Sequence, residues 1–326
     1  MHRPLPSLLI LAALAWPASA DQGRPYFNEK KAPENRQDLE AIQSALLSVL
    51  EQARAATVCI DLGEGSGSGV IVSEDGLVLT AAHVSGGVNK DLTVVMEDGR
   101  KFKAESLGVV ADSDAAMVRI TEPGKFPFVQ VDRDDSAKLG DWVFSLGHSG
   151  GFDKERGSVV RLGRIVRIAG ATFQSDCTLI GGDSGGPLFD LRGRLIGIHS
   201  RVGAVLDQNM HVPTAVFVKN WDGLLKGEFI GEGPFVEKPE QGKGFLGLAS
   251  EPHPDGGIRV TKVGKDSPAE KAGIREGDIL LKLNGTALKT REDLQNLLKE
   301  MAAGDKLEFE ALRDGKPHPF NLKLGQ

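Results

Sequence analysis

Between Thr57 and Ser200 the chain breaks into short β-rich runs divided by Gly and Asp turns: TVCIDL, GVIVS, GLVLT, LTVVM, AAMVRI, WVFSLG, SVVRLGRIVRI, PLFD and RLIGIHS. Many short strands at turn-like intervals predict an antiparallel barrel or sandwich. Glu74-Asp75-Gly76, Glu97-Asp98-Gly99 and Leu191-Arg192-Gly193 supply hairpin turns, because Asp tolerates and Gly favours the left-handed backbone that such turns use.

The flanking segments follow other periods. From Asp38 to Ala55, the residues Leu39, Ile42, Leu46, Val49, Leu50 and Ala53 recur at helical spacing, which predicts one amphipathic packing helix ahead of the strands. Residues 21–36 are polar and proline-bearing and predict an irregular arm, with Tyr26 beside Phe27. Residues 227–243, GEFIGEGPFVEKPEQGK, sustain no period and read as a linker. Beyond it the pattern predicts strands at 245–248, 257–263, 279–283, 306–313 and 319–324, a short helix at 269–272 and a longer one from Thr290. Thr290 and Asp293 have capping-box spacing, and Leu294, Leu297, Leu298 and Met301 share the face that follows. A chain of 326 residues fits two domains, here 37–226 with its leading helix and 244–326.

The first residues, MHRPLPSLLILAALAWPASA, place Arg3 before an apolar run and end on Ala18-Ser19-Ala20, the pattern of a signal peptide over residues 1–20 cleaved after Ala20. The run is too short to span a bilayer comfortably and no other stretch approaches the length needed, so no integral membrane segment is expected in the mature chain. The expected destination is the periplasm or the exterior. A net charge of −6 without a basic stripe argues against nucleic acid. An exported compartment permits Cys59 and Cys177 to pair but does not require it, and both also read as buried thiols acting as small hydrophobes.

The chemistry lies in Gly182-Asp183-Ser184-Gly185-Gly186-Pro187. A serine hydroxyl is a weak nucleophile at neutral pH, so it needs a neighbouring base and donors aimed at the oxyanion. Glycines on both sides let the backbone turn sharply and expose amides; the loop Gly182, Asp183 and Ser184 is the candidate oxyanion hole, with the Gly182 and Ser184 amides as donors. His83, at the end of the apolar run GLVLTAAHV, suits a general base held by a rigid element. Asp114, immediately before AAMVRI, is the candidate carboxylate that orients it, with Asp112 the competitor. The order His, Asp, Ser is that of chymotrypsin-type barrels.

On these residues the chain resembles the HtrA (Deg) family of trypsin-like serine proteases. GSGSGVIVSEDGLVLTAAHV, DSDAAMVRI, GDWVFSLGHSGG and QSDCTLIGGDSGGPLFDLRGRLIGIHS follow that family's successive barrel motifs, and GFLGL with SPAEKAGIREGDILLKLNG is similar to a PDZ domain. The resemblance implies a mainly β fold: a chymotrypsin-like double β-barrel protease domain followed by a small α/β PDZ domain. It also implies an ATP-independent endopeptidase acting on unfolded or misfolded exported proteins, and a homotrimer assembled through N-terminal segments, with Tyr26 and Phe27 as interface aromatics. No cofactor is implied. In the PDZ domain, Phe245, Leu246, Gly247 and Leu248 match the loop that holds a peptide C-terminus while the peptide adds as a strand, and Leu294 and Leu298 would close the side-chain pocket.

Three departures stand out. Asp183 occupies a position where the family usually has Asn and zymogen-activated proteases have Asp; no start of the Ile-Val-Gly-Gly type precedes the barrel, so its partner is open. Val166 to Phe173 is short where relatives often carry a longer sensor loop. Little insertion separates Leu62 from the GSGSG turn. Thr178 resembles the base of the primary specificity pocket, with Ile198, His199 and Ser200 along its wall; an uncharged base argues against Lys or Arg and for small or medium aliphatic residues before the scissile bond. His148, His199 and His211 read as structural or pocket-lining, since their spacing makes no metal site. A proteolytically silent or latent chaperone or PDZ scaffold is the rival reading, and an exported digestive or virulence protease a third.

Overall fold

The computed structural model describes residues 23–63, 65–203 and 208–325; the expected signal peptide and its cleavage site lie outside them. The first barrel is built from β1 (Thr57–Asp61), β2 (Ser66–Ile71), β3 (Leu77–Thr80), β4 (Asp91–Val95), β5 (Lys101–Val110) and β6 (Ala115–Ile120). The strand order is β5-β4-β1-β2-β3-β6, and pairing of β5 with β6 closes it. The second barrel closes through β7 (Trp142–Gly147), β8 (Val159–Ala169), β9 (Thr172–Ser175), β12 (Asn209–Pro213), β11 (Leu195–Val202) and β10 (Pro187–Asp190), which returns to β7. The expected double barrel is therefore observed. Three strands were not singled out by the sequence pattern: β5, β9 and β12.

Each barrel has its own core: Val58, Ile71, Val94 and Val118 in the first, Val143, Ile165, Leu188 and Ile196 in the second. A larger cluster lies between them, joining Val70, Leu79 and Met117 to Phe144, Leu146, Phe189 and Ile198. Burial at this seam locks the two barrels at one relative position, which is what a site assembled from both requires.

Helix α1 (Arg36–Ala56) starts at Asn35, whose side chain accepts from the Asp38 amide at 3.0 Å. Ile42, Ala53 and Ala56 are buried and Leu46, Val49 and Leu50 pack on the inter-barrel core, whereas Leu39 is 56% exposed and leaves the predicted apolar face. The arm ahead of it is not irregular throughout. Tyr26–Glu29 forms a 3-10 turn, Phe27 is buried in the inter-barrel core, Asn28 accepts from the Trp142 amide at 2.9 Å, and Arg24 pairs with Asp141. One aromatic in a polar segment, rather than a period, anchors it. Phe27 is thus consumed by its own chain.

Helices α2 (Ala82–Ser85), α3 (Thr214–Lys219) and α4 (Trp221–Leu225) complete the barrels. The start of the expected linker is ordered: β13 (Phe229–Ile230) pairs in parallel with β5. The C-terminal unit has β14 (Leu248–Pro252), β15 (Ile258–Val263), α5 (Pro268–Lys271), β16 (Ile279–Leu283), β17 (Thr286–Ala287), α6 (Arg291–Lys299), β18 (Lys306–Arg313), β19 (Lys316–Pro317) and β20 (Phe320–Lys323). Thr290 and Asp293 form the predicted capping box on α6. The strand expected at 245–248 begins at Leu248 instead. Gly247, at φ +79°, turns the chain, and a Cβ there would lie 2.2 Å from the Ser267 Cβ.

Candidate active site

The register of β3 with β6, Thr80 opposite Ala116, sets the end of one strand beside the start of the other. Helix α2, which carries His83, begins there, and its Ala82 amide donates to the Asp114 carbonyl at 3.1 Å. Asp114 takes a left-handed backbone, φ +57°, which an Asp tolerates better than most residues. That conformation turns its fully buried carboxylate back under α2. The carboxylate accepts from the His83 amide at 3.1 Å and lies 2.9 and 3.0 Å from His83 Nδ1. Since a carboxylate only accepts, Nδ1 carries the proton and Nε2 keeps its lone pair. Asp112, the competitor, is exposed.

Ser184 arrives from the second barrel on the loop between β9 and β10. Its carbonyl accepts from Ser68 of β2 at 2.7 Å, and the Ser68 hydroxyl donates to Gly182 O at 2.8 Å. Thr80 Oγ1 in turn donates to Ser68 O at 2.7 Å. The Ser184 loop is thus bonded across the seam to β2 and to β3, the strand that leads into α2 and His83. Gly185 and Gly186 permit this threading: a Cβ on Gly185 would fall 2.2 Å from Ser68 O, and one on Gly186 2.5 Å from Leu146 O. Ser184 Oγ donates to the Ser200 carbonyl at 3.5 Å rather than to His83.

The Asp183 amide donates to Ile180 O at 3.1 Å, whereas among the described residues the Gly182 and Ser184 amides have no acceptor. Of the three loop residues, Asp183 therefore has no amide left for an oxyanion, and the other two do. Its carboxylate is fully buried and does have partners: the Ser149 hydroxyl at 2.6 Å, the Ile180 amide at 2.9 Å and the Arg161 guanidinium at 3.1 Å. No local pattern marks Arg161 for this role, because the register of β8 decides which side chain reaches this loop.

Of the expected pocket residues, Thr178 is exposed near the surface, but Ile198 and His199 have no accessible surface. Ile198 belongs to the inter-barrel core. His199 Nε2 lies 3.2 Å from Leu146 O, His199 Nδ1 2.9 Å from His211 Nδ1, and His211 Nε2 2.7 Å from Ser175 Oγ. A carbonyl cannot donate, so His199 Nε2 is protonated, His211 Nδ1 donates to His199 Nδ1, and Ser175 donates to His211 Nε2. The neutral pair satisfies every group, and burial drives both imidazoles to low pKa, His199 to about 3. Both rings are fully buried, and His211 also borders a small cavity with Ser200, Arg201 and Phe235. Ser200, read from sequence as a pocket wall, donates its hydroxyl to Asp114 Oδ2 at 2.5 Å. His148 is buried 3.7 Å from Glu97, and burial lowers its pKa. Cys59 and Cys177 are free buried thiols, and burial raises each to about 11. No cluster of three or more potential metal ligands lies among the described residues.

In the C-terminal unit β14 is an edge strand with α6 beside it. Among the described residues the Leu246 and Gly247 amides have no acceptor, whereas the Phe245 amide donates to Gly325 O at 2.8 Å. Phe245 is half exposed; Leu246 and Leu294 are core residues, and Leu298 packs at the core's edge.

Two closed barrels with a Ser, a His and an Asp at their seam define a trypsin-like serine peptidase domain, here followed by a PDZ domain. Models of the "Trypsin-like peptidase domain" and the "PDZ domain" match residues 67–198 and 244–324. A "Probable periplasmic serine endoprotease DegP-like" of Ectopseudomonas mendocina is 30% identical over 272 residues, covering 79% of this chain and 56% of the relative. A "Probable periplasmic serine protease do/HhoA-like" of Haemophilus influenzae is 31% identical over 278 residues, covering 80% and 58%. The chain spans little more than half the length of these curated relatives. The solved structure of an "HtrA-type protease AlgW with tripeptide" superposes with a TM-score of 0.50 at 24% identity, over 87% of this chain and 96% of that one, a likeness of fold. The chain belongs to the HtrA (Deg) family of trypsin-like serine proteases with one C-terminal PDZ domain. No helix among the described residues is long and apolar enough to cross a membrane.

Proposed function

We propose that this chain is an exported, ATP-independent serine endopeptidase that hydrolyses peptide bonds in unfolded or misfolded proteins, with Ser184 as nucleophile, His83 as general base and Asp114 as the group that orients it. The observation that carries this reading is the contact of His83 Nδ1 with the buried Asp114 carboxylate at 2.9 Å, which leaves Nε2 basic and turned to one tautomer. Ser184 Oγ, swung from the Ser200 carbonyl, gives its proton to Nε2 as it attacks the scissile carbonyl. The oxyanion that forms accepts from the Gly182 and Ser184 amides, and the imidazolium is stabilised by Asp114. His83 then protonates the leaving amine, and water repeats the sequence on the acyl-enzyme.

Selection before the scissile bond rests on Thr178 as an uncharged base. The PDZ domain takes peptide C-termini or hydrophobic segments as an added strand on β14, with the free Leu246 and Gly247 amides holding the terminal carboxylate. Periplasmic residence follows the names of the relatives. In a homotrimer formed through N-terminal segments, Tyr26, at 49% exposure, is the aromatic available for contact.

The test is cleavage of casein by residues 21–326 and by Ser184→Ala. Loss of a working nucleophile costs about a million-fold in turnover, so the variant should be inert beside an active parent. A latent enzyme or scaffold is the second reading, favoured by Ser184 Oγ facing Ser200 O. It prevails if both proteins stay inert across temperature and with added C-terminal peptides.

A further inference from the structure

A buried carboxylate next to the nucleophile calls for a fixed cation. Among the described residues Asp183 forms one ion pair, and its partner, Arg161, forms no other. Arg161 projects from β8, opposite Ser145 of β7, and its side chain is 19% exposed. Its Nη2 reaches Ser149 Oγ at 2.9 Å as well as Asp183 at 3.1 Å, and Ser149 Oγ donates to the same carboxylate at 2.6 Å. Arg156 holds the Ser149 carbonyl at 2.5 Å, which fixes the segment carrying that hydroxyl. Gly147 leaves room for the carboxylate, since a Cβ there would lie 2.6 Å from Asp183 Oδ1.

We infer that Arg161 is a positioning residue for catalysis: its charge holds Asp183 inward and thereby fixes the loop that presents the Gly182 and Ser184 amides. The inference rests on the serine-protease reading. Asp183 is the residue between the two free amides, so its side chain sets where both point. With the cation gone, the carboxylate seeks water, and turning it outward rotates the peptide planes on either side. The cation is a strand side chain, so no cleavage of the chain is needed to supply it. Arg161 touches no reacting atom, and its loss acts on kcat.

The experiment compares the wild type with Arg161→Gln, Asp183→Asn, the double variant and Arg161→Lys. The readouts are kcat and KM on a chromogenic peptide with an uncharged residue before the scissile bond, and the rate of Ser184 phosphonylation by a fluorophosphonate. Arg161→Gln should lower kcat and phosphonylation by about 100-fold, in the range of losing an oxyanion donor, with little change in KM. Adding Asp183→Asn should return both to within roughly tenfold of wild type, because a carboxamide needs no cation: its oxygen accepts from the Ile180 amide and its NH2 donates to the Ser149 hydroxyl, which rotates to accept. Merely structural damage would not be repaired by a second substitution. A folded Arg161→Gln with wild-type kcat, or a folded double variant no faster than Arg161→Gln, overturns the inference while leaving the protease reading intact. A wild type that neither cleaves nor labels removes that reading, and this inference with it. Should Arg161→Gln not fold, the double variant and Arg161→Lys decide: activity in both supports the pairing, and inactivity in both, once folded, overturns it.

Discussion

The Ser200 hydroxyl of β11 donates to Asp114 Oδ2 at 2.5 Å, so the carboxylate that meets His83 in the first barrel is itself fixed by a strand of the second. The Gly185 amide donates to His199 O at 2.7 Å, and this same strand also holds the Ser184 loop. Movement of one barrel against the other would therefore disturb His83, Asp114 and Ser184 together.

Asp114→Asn keeps the shape but offers an amide to Nδ1, which favours the wrong tautomer. It should lower kcat by about 10⁴-fold with an unchanged melting temperature. Ser200→Ala removes one hydrogen bond to that carboxylate and should cost roughly tenfold, the equivalent of about 1.4 kcal/mol. Steady-state kinetics on a peptide substrate separate the two, and equal losses would deny Asp114 its orienting role.

The His199–His211 pair makes the fold sensitive to acid. Both imidazoles are neutral when folded, with pKa values below that of the unfolded chain, so the unfolded state binds more protons as pH falls below about 6.5. Stability is then complete above that pH and declines through the window down toward the folded values. Two such groups give a slope of up to about 2.7 kcal/mol per pH unit. Chemical denaturation between pH 7 and 5 should show this loss, and His211→Gln should flatten it. An identical slope in the variant would mean that other groups dominate.

Phe27 is 5% exposed within the inter-barrel core. Phe27→Ala should destabilise the protein by about 3 kcal/mol and lower Tm by roughly 6–12 °C in thermal unfolding. A shift under about 2 °C would show that the arm does not dock in solution.

The double barrel was legible because its strands are apolar runs ended by turn residues, and His83 and Asp114 each adjoin such a run. Strand β5 escaped because Lys101, Lys103 and Glu105 interrupt its first half, where one face meets solvent. Strands β9 and β12 are short and mix polar with apolar residues, and only their neighbours' pairing defines them. Phe27 carried no period to mark it as core. The roles of Arg161, Ser149 and Ser200 depend on strand register and on which barrel faces which, properties that no local pattern encodes. Ile198 and His199 directly precede Ser200, yet their side chains are fully buried.

An activated Ser184 should react with an electrophile that ordinary serines leave untouched. The most direct measurement is to treat residues 21–326 with a fluorophosphonate and map the adduct by mass spectrometry, beside His83→Ala. A single stoichiometric adduct on Ser184 is expected, with a labelling rate reduced at least about 10³-fold in the variant. Labelling that is absent from the wild type, or equally fast without His83, would contradict it.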